Sequence, residues 1–458
     1  MHKFLIILFL AIPILVNGQK KFAKGLIFDE KAYNSTPIKA NLTRGDYTNI
    51  PSKFSLKQYC PKPGNQLQLH TSAAWAITWG ARTILEAKSK GITDQTEITK
   101  NAFAPSFTYS LSTQMADKTC IQGTSLEKAL EVMKTMGTPK YVDFLEFCPK
   151  TIPESSKTKA EESKITDYVR LFKSDDEDKT KLETVKRSLA EGLPVVVGME
   201  CPDSFHFAEE FWQPREQKEE DLDGHALCLV GYDDGKFGGA FEAMNSWGKG
   251  WGNDGFIWIR YEDFLEFVPT AYELFIIGQD EGSKAGFSGE ISCKLLNGND
   301  MSIILTNVPS YYKTTMPYPS GTSFRIYIQN NQTAYVYVLG TDLTGKFFTL
   351  FPTADVSPIL NYNGTSIALP GEKKYIKMDK TPGKDFLAIL YSKEELDYPK
   401  IKSRLEKSDG RIDERVSKVL KKQLVDNSNI SWTYDKIQFE GKGEGKTIVP
   451  VFIEIEHK

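Results

Sequence analysis

The stretch from Tyr59 to Lys88 constrains the fold most, because it places a sharp turn directly before a helix that must be buried. Pro63-Gly64 form the turn. Apolar residues then recur at helical spacing: Ala73, Ala74, Ile77, Ala81 and Leu85. This pattern predicts a buried helix over residues 72–90 that ends at Gly91. Ser72 then stands at the helix N-terminus, where free backbone N–H groups favour developing negative charge.

The whole chain has 458 residues, which is too long for one ordinary hydrophobic core and predicts two domains. Its share of 40% hydrophobic and 26% charged residues is typical of a globular protein. The formal net charge of −3 gives no electrostatic basis for binding nucleic acid or an anionic membrane surface. We therefore expect no nucleic-acid partner, and the sequence does not indicate an oligomeric state.

The first residues have the pattern of a secretory signal peptide. Met1-His2-Lys3 precedes an apolar run from Phe4 to Val16, and Asn17-Gly18 provides the small-residue exit. We predict a signal peptide over residues 1–18, cleavage near Gln19, and a secreted or periplasmic protein. The run is too short for a comfortable transmembrane helix, and no later stretch approaches the roughly 20 apolar residues that a membrane span needs.

Export would place the cysteines in a compartment where disulfides persist. They are Cys60, Cys120, Cys148, Cys201, Cys228 and Cys293. Six cysteines allow fifteen pairings, and the sequence does not choose among them. We prefer Cys120 with Cys148, since both flank one helical segment, and we expect Cys228 to be a buried thiol in an apolar strand. No pair has zinc-finger spacing, so we expect no metal, and we expect no cofactor.

The region before the C-terminal part divides into an arm and a mixed domain. Residues 19–54 are polar and turn-rich, which predicts a covering N-terminal arm, and residues 55–279 form the domain. Its predicted helices are 72–90, 123–134 and 182–191, and its predicted strands are 195–199, 226–232, 239–244, 255–261 and 271–277. Glycine-rich turns between the strands favour an antiparallel sheet. The charged stretch 149–181 is expected to be a solvated loop or surface helix.

The C-terminal part has a different character. Residues 280–289 are rich in glycine and charge and are predicted to be a linker. Short alternating strands follow, at 323–329, 334–339, 347–351, 374–378, 386–391 and 447–455. One helix over residues 393–424 interrupts them. Residues 290–458 are therefore predicted to form a mainly-β sandwich or barrel.

Two motifs far from Ser72 carry candidate catalytic residues. His225 leads into a buried strand in the run Asp223-Gly-His-Ala-Leu-Cys-Leu-Val-Gly-Tyr232. Asn245 begins the Gly/Trp-rich turn Asn245-Ser-Trp-Gly-Lys-Gly-Trp-Gly252. Taken alone, a histidine of this kind is more often structural and an asparagine in a turn is a turn residue. The joint pattern is far more specific than either motif.

Together with Gln66 and a helix-capping Ser72, these motifs resemble the papain family of cysteine peptidases, in its bacterial branch, over roughly residues 50 to 278. The resemblance implies a two-lobed α+β fold, with a helical lobe, an antiparallel β lobe and a substrate cleft between them. It also implies site roles. His225 would be the base, Asn245 would orient its imidazole, and Gln66 would donate to the oxyanion. The ligand would be a peptide or protein.

The resemblance also indicates which position holds the nucleophile. In the family, the glutamine lies six residues before the catalytic cysteine, and counting six from Gln66 reaches Ser72. Many members have tryptophan directly after the cysteine, which would place the nucleophile at Ala74, before Trp75. Some bacterial members have two small residues before the tryptophan, which fits Ser72. We favour Ser72 and keep Ala74 as the alternative; neither position holds a cysteine.

Loss of the cysteine changes the chemistry of such a site. A thiolate paired with an imidazolium exists before the substrate arrives, whereas a serine hydroxyl must be deprotonated during attack. The loop changes too, because Leu67 and His70 stand where the family has glycines, and we expect their side chains to fill the cleft beside Ser72. His70 is better read as a polar loop residue than as a base. The short arm predicts that no activity-controlling propeptide is present.

Three functions remain open. The first is a secreted pseudopeptidase that binds peptide or protein without cutting it, with Gln66, His225, Asn245 and Trp247 as scaffold. The second is an active hydrolase in which Ser72 attacks a carbonyl and His225 acts as base. The third is adhesion or docking through residues 290–458, which resemble an all-β accessory domain found after bacterial peptidase domains. Five tyrosines of that region would line the binding surface in that case, but we prefer to interpret them as aromatic residues of the β core and turns: Tyr311, Tyr312, Tyr318, Tyr335 and Tyr337.

Overall fold

A computed structural model describes residues 21–40, 50–215, 222–277, 286–342, 344–361, 366–371 and 373–458. The signal peptide predicted over residues 1–18 lies outside the described residues. Residues 280–285 of the predicted linker lie outside them as well. In the described part of the chain, no helix combines the length and the apolar character needed to cross a membrane.

The helices of the described residues are as follows: α1 Glu30–Ser35, α2 Ser72–Ala74 continuing through Trp75–Arg82 and Thr83–Ser89, α3 Gln95–Lys100, α4 Pro105–Ser112, α5 Leu126–Thr135, α6 Glu154–Ala160, α7 Asp178–Ala190, α8 Tyr261–Phe267, α9 Tyr398–Glu406 and α10 Ile412–Leu420.

The strands of the N-terminal half are β1 Lys53–Ser55, β2 Asp167–Arg170, β3 Val195–Glu200, β4 Phe211–Trp212, β5 Gly224–Asp233, β6 Ala240–Met244, β7 Phe256–Arg260 and β8 Thr270–Phe275. Those of the C-terminal half are β9 Gly286–Leu295, β10 Ile303–Leu305, β11 Tyr311–Thr314, β12 Ser323–Asn330, β13 Ala334–Thr341, β14 Phe347–Phe351, β15 Ile359–Leu360, β16 Ser366–Leu369, β17 Ile376–Lys377, β18 Gly383–Ser392, β19 Ile430–Trp432, β20 Ile437–Lys442 and β21 Ile448–His457.

Helix α2 is the central element of the helical lobe, as its apolar spacing predicts. It runs from Ser72 to Ser89, and every residue from Ser72 to Ile84 is buried. The turns Trp75–Arg82 are of the wider π type, which the periodicity does not reveal. The chain leaves the helix at Gly91, whose positive φ of 64° suits a residue without a side chain. The predicted helix over residues 72–90 is therefore confirmed.

The β lobe is one sheet with the strand order β2-β8-β3-β5-β6-β7-β4, and β1 pairs with β5. All its pairs are antiparallel apart from β4 with β7, which confirms the predicted antiparallel sheet. Strand β5 lies centrally and is buried along almost its whole length. Because α2 packs against β5 and β3, the start of the helix meets the start of the central strand.

Two predictions for the charged stretch 149–181 are incomplete. It contains helix α6 and the edge strand β2, which pairs with β8. Strand β2 has only four residues and a polar sequence, so its alternation was too short to recognise. Helix α7 begins at Asp178, one turn before the predicted start near Leu182. The prediction missed this turn because its residues are polar and largely exposed, so they show no apolar periodicity.

The C-terminal half is a β sandwich, so of the two predicted architectures the barrel is wrong. One sheet has the order β10-β11-β21-β18-β13-β14, with β15 on β13, and the other has the order β16-β12-β9-β20-β19, with β17 on β12. Apolar residues of both sheets share one core, for example Ile326 and Ile389. The other face of the first sheet contacts α9, α10 and the N-terminal half, so β13 is buried on both faces.

Two expectations for this half require correction and one is confirmed. The predicted helix 393–424 is two helices, α9 and α10, separated at Gly410, which has a φ of 115°. Strand β9 begins at Gly286, inside the predicted linker 280–289. Five tyrosines are buried in the sandwich or against its helices, with at most 8% of their surface exposed, which confirms the preferred interpretation as core aromatics: Tyr311, Tyr312, Tyr318, Tyr335 and Tyr337.

The preferred disulfide between Cys120 and Cys148 is present, with its Cα atoms 5.9 Å apart. It closes a loop with a sequence separation of 28 residues, which corresponds to a stabilisation of about 3 to 4 kcal/mol. Cys228 is a buried thiol outside any disulfide, as predicted. The bridge fixes the loop before α5 to the loop before α6.

The N-terminal arm connects the two halves of the molecule. Ile38 forms one β-bridge with Arg170 of β2 and another with Val356 of the sandwich. Its amide donates to the carbonyl of Asp355 at 2.8 Å. The arm therefore lies between an edge of the β lobe and the sandwich, and contacts both through backbone hydrogen bonds.

Candidate active site

Ser72 lies at the first turn of α2, directly against the start of β5. Its side chain is fully buried, and its Oγ accepts a hydrogen bond from the backbone amide of Ala226 at 3.3 Å. Ala226 follows His225, so the structure brings the predicted nucleophile position and the predicted base together over a sequence separation of 154 residues. Ala74, the alternative position, packs instead against Tyr109 and Cys120.

His225 and Asn245 form a buried pair. His225 Nε2 and Asn245 Oδ1 are 2.7 Å apart, and the same Oδ1 accepts from the amide of Ser246 at 2.7 Å. Because that oxygen acts as an acceptor, the hydrogen of the imidazole lies on Nε2. The Trp247 ring covers the pair, with its centroid 4.5 Å from that of the imidazole. His225 Nδ1 is therefore the unprotonated ring nitrogen, which would accept the proton of a nucleophile.

That acceptor has no donor. Within the described part of the chain, His225 Nδ1 is buried without a hydrogen-bond partner, and no hydrogen bond joins it to Ser72 Oγ. The pKa of His225 is lowered to about 3, mainly by burial and also by Lys24 and His206, against an opposing contribution from the hydrogen bond with Asn245. The imidazole is therefore neutral at neutral pH and a weak proton acceptor.

Gln66, the predicted oxyanion donor, is completely buried and already engaged. Its Nε2 contacts the carbonyl oxygens of Ala23 at 3.1 Å, Lys24 at 2.8 Å and Leu69 at 2.7 Å. Its Oε1 accepts from the hydroxyl of Ser246 at 2.5 Å. An amide nitrogen has two N–H groups, so these acceptors leave no donor for a substrate oxygen.

Two of the three acceptors at Gln66 Nε2, the carbonyls of Ala23 and Lys24, belong to residues 22–27, which we call the strap. The strap crosses the boundary between the lobes and pairs on one side with Gly224 and on the other with Thr124. Its Ala23 carbonyl also accepts from Trp247 Nε1 at 2.7 Å. The strap therefore engages Gln66 and Trp247 through backbone carbonyls, and the absence of an activity-controlling propeptide stays a prediction.

Two further expectations concern the loop after Gln66. Leu67 takes a φ of 60°, the conformation that a glycine would adopt, and its side chain is 48% exposed. The loop therefore keeps a glycine-like backbone despite the side chain, and the filling of the cleft by Leu67 stays a prediction. The His70 backbone, rather than its side chain, lies against the strap at Gly25. His70 makes no contact that would give it the role of a base.

Sequence reasoning identified the four motif residues and missed the groups that surround them. His206 stacks on Trp247 with ring centroids 5.1 Å apart and accepts the Phe22 amide at Nδ1. Ser246 orients Gln66. Neither residue carries a periodic or spacing signal that distinguishes it from other polar residues, and the strap has no pattern that separates it from an ordinary arm.

Comparison with known proteins agrees with this architecture. Residues 90–266 match the family described as papain family cysteine protease, and residues 317–395 match DUF4384, a domain of unknown function. The first match includes His225 and Asn245 but begins after Gln66 and Ser72.

Individual relatives are distant. The "Uncharacterized peptidase C1-like protein L477" of Acanthamoeba polyphaga mimivirus is 29% identical over 115 residues, which are 24% of this chain and 36% of that protein. The chain therefore matches about a third of that relative's length. Among solved structures, xylellain, a cysteine protease from Xylella fastidiosa, has 20% identity and a TM-score of 0.45, over 57% of this chain and 98% of its own. Digestive procathepsin L 3 of Tenebrio molitor larval midgut has 16% identity and a TM-score of 0.42, over 54% and 78%.

A helical lobe and an antiparallel β lobe, with a histidine–asparagine pair beside the start of a buried helix, define the class of papain-like peptidase folds. Residues 90–266 are therefore similar to papain family cysteine proteases, and the segment similar to DUF4384 follows them.

Proposed function

We propose that this protein is a secreted or periplasmic pseudopeptidase, whose papain-like cleft holds a peptide or protein segment without cutting it. The observation that carries the proposal is the unpartnered Nδ1 of His225 beside a serine that accepts a hydrogen bond from Ala226. A serine nucleophile requires a base that removes its proton during attack. Here the base and the hydroxyl are not hydrogen-bonded to each other.

The electrostatics of the pair support the same function. A general base works best when its pKa lies near the working pH, whereas burial holds the pKa of His225 at about 3. The cationic Lys24 lies nearby and further disfavours an imidazolium. The proton that Ser72 would lose in an attack therefore has no favourable acceptor.

The strap adds a second obstacle to turnover. Ser72 and His225 are both completely buried, and the strap carbonyls accept the hydrogen bonds of Gln66 Nε2 that an oxyanion would need. An external substrate would have to displace the strap before meeting these groups. The hydrolase alternative requires both displacement and a rearranged serine. The docking alternative loses its tyrosine surface, since those side chains are buried.

We expect the purified protein and its Ser72→Ala variant to show the same background rate on casein and on fluorogenic peptides between pH 5 and pH 8. The physical reason is that Ser72 Oγ is not hydrogen-bonded to the imidazole of His225, so removing the hydroxyl removes no catalysis. The measurement is the initial rate of peptide hydrolysis per mole of protein, in the presence and in the absence of a thiol reductant.

A Ser72→Cys variant is the matched control, because it restores a thiol at the same position. Activity that appears only with cysteine would assign the loss to the oxygen nucleophile. Turnover by the parent protein that disappears in Ser72→Ala would refute the pseudopeptidase function.

A further inference from the structure

We propose, building on the pseudopeptidase function, that the cleft is a recognition groove for an extended peptide of the pattern aromatic–any–lysine–glycine–apolar. Residues 22–26, Phe-Ala-Lys-Gly-Leu, are its built-in ligand. A partner protein that carries the same pattern is the external ligand, and it binds when the strap is released. The pattern follows from the contacts of each strap residue.

The backbone of the strap is held from both lobes. The Leu26 amide donates to the Gly224 carbonyl at 3.0 Å, and the Ile27 amide donates to the Thr124 carbonyl at 3.0 Å. In return, the Thr124 amide donates to the Gly25 carbonyl at 3.1 Å. These bonds recognise an extended chain and do not depend on its side chains. They supply affinity, and the side chains supply selectivity.

Lys24 is the most selective position. Its ammonium donates to the Cys201 carbonyl at 2.6 Å and lies 3.6 Å from the Asp223 carboxylate, while only 10% of its side chain is exposed. A buried cation needs such partners, because removing it from water costs several kcal/mol otherwise. The Cys201 carbonyl and the Asp223 carboxylate together select a primary ammonium over a neutral or acidic side chain.

Gly25 is required by a close backbone approach. Its φ is 116°, which side chains with a Cβ rarely adopt, and a Cβ built there would lie 2.1 Å from the carbonyl carbon of His70. The obstacle is backbone, which cannot move aside as the end of a flexible side chain can. A peptide with any other residue at this position therefore cannot occupy the groove in the same way.

The apolar and aromatic positions have their own pockets. Leu26 is 6% exposed, and a Cβ added to Gly198 would lie 2.7 Å from its Cδ2, so the absence of a side chain at Gly198 makes the room for it. Phe22 stacks on Trp247, with ring centroids 4.9 Å apart and planes 11° apart. Ala23 lies between these anchors and contributes its carbonyl to Trp247.

The test uses the full chain and a fluorescent peptide with the sequence of residues 21–29, followed by fluorescence anisotropy. Gly25→Ala in the chain should release the strap, because the new methyl group meets the His70 backbone. Lys24→Glu is a second release variant, since it places a carboxylate beside Asp223 without a steric clash. We expect the parent to bind the peptide at least about tenfold more weakly than either variant, because its own strap competes.

Changes in the peptide test the pattern itself. In the released variants, peptides with Lys24→Ala or Gly25→Ala should bind at least about tenfold more weakly than the unchanged peptide. A Lys21→Ala peptide is the matched control, because Lys21 is 66% exposed and its ion pair is with Asp203, which is exposed as well. Its affinity should change by less than about fivefold.

The recognition groove is refuted if both release variants keep the parent's circular dichroism spectrum and neither binds the peptide. It is also refuted if the Lys24→Ala and Lys21→Ala peptides bind equally. Mass spectrometry of the peptide after each titration separates this inference from the proposed function. A peptide that is bound and then cleaved supports the groove and refutes the pseudopeptidase, whereas an intact and unbound peptide refutes the groove alone.

Discussion

Replacing Lys39 with alanine is expected to lower the free energy of unfolding by about 3 to 5 kcal/mol, the cost of leaving a buried charge without its partner. Lys39 Nζ lies 2.7 Å from Glu273 Oε2, and both side chains are almost completely buried, at 2% and 0% exposure. The other Glu273 oxygen accepts from Asn361 of the sandwich at 2.6 Å. In the variant, the buried Glu273 carboxylate would keep the hydrogen bond from Asn361 but lose the ammonium of Lys39.

The measurement is urea unfolding of the full chain, followed by tryptophan fluorescence. Lys21→Ala is the control, because its ion pair with Asp203 is exposed on both sides and should be worth at most about 1 kcal/mol. Since the pair links the arm, β8 and the sandwich, we also expect the arm to exchange its amide hydrogens faster in Lys39→Ala. A loss of less than about 1 kcal/mol would contradict the role assigned to this pair.

Acidification is expected to destabilise the protein through His225. The unfolded chain binds a proton at this side chain with a pKa near 6.5, whereas burial lowers the pKa in the folded protein to about 3. The folded state therefore binds fewer protons, and the contribution of His225 to stability is complete above pH 6.5 and is lost as the pH falls towards 3. Between pH 7 and pH 4 this amounts to about 3 kcal/mol.

A His225→Gln variant should lack the contribution of His225 to the loss of stability between pH 7 and pH 4. The substitution also changes the stability of the protein at pH 7. The quantity to compare is the difference in unfolding free energy between pH 7 and pH 4 for each protein. His206→Gln should reduce the acid dependence too, because burial lowers the pKa of His206 to about 4. His70→Gln, which changes a partly exposed loop histidine, is the control. Equal acid dependence in the parent and His225→Gln would show that the imidazole is not buried as described.

Local patterns explain what the sequence predicted. Helix α2 and strand β5 are apolar segments, and the spacing of their apolar residues is visible in the sequence itself. Their positions can therefore be predicted without knowledge of the fold. His225 and Asn245 were found because each lies inside a short, unusual motif. The spacing from Gln66 led to Ser72, which the structure places against Ala226.

Long-range contacts explain what the sequence did not predict. The strap meets Gln66 and Trp247 across separations of 43 and 224 residues, and each contact is an ordinary backbone carbonyl with no sequence signature. Strand β2 forms because β8 offers an edge, not because its own four residues alternate strongly. The break between α9 and α10 depends on Gly410, whose φ is visible only in the folded chain.

The most direct test of a cleft that holds peptide without cutting it uses the Gly25→Ala variant, in which the strap no longer competes. The variant is incubated with a diverse peptide library, and new peptide termini are counted by mass spectrometry beside a Gly25→Ala/Ser72→Ala double variant. We predict equal, background-level numbers of new termini for the two proteins. New termini that appear with Gly25→Ala and are absent from the double variant would establish Ser72 as a working nucleophile and contradict the pseudopeptidase function.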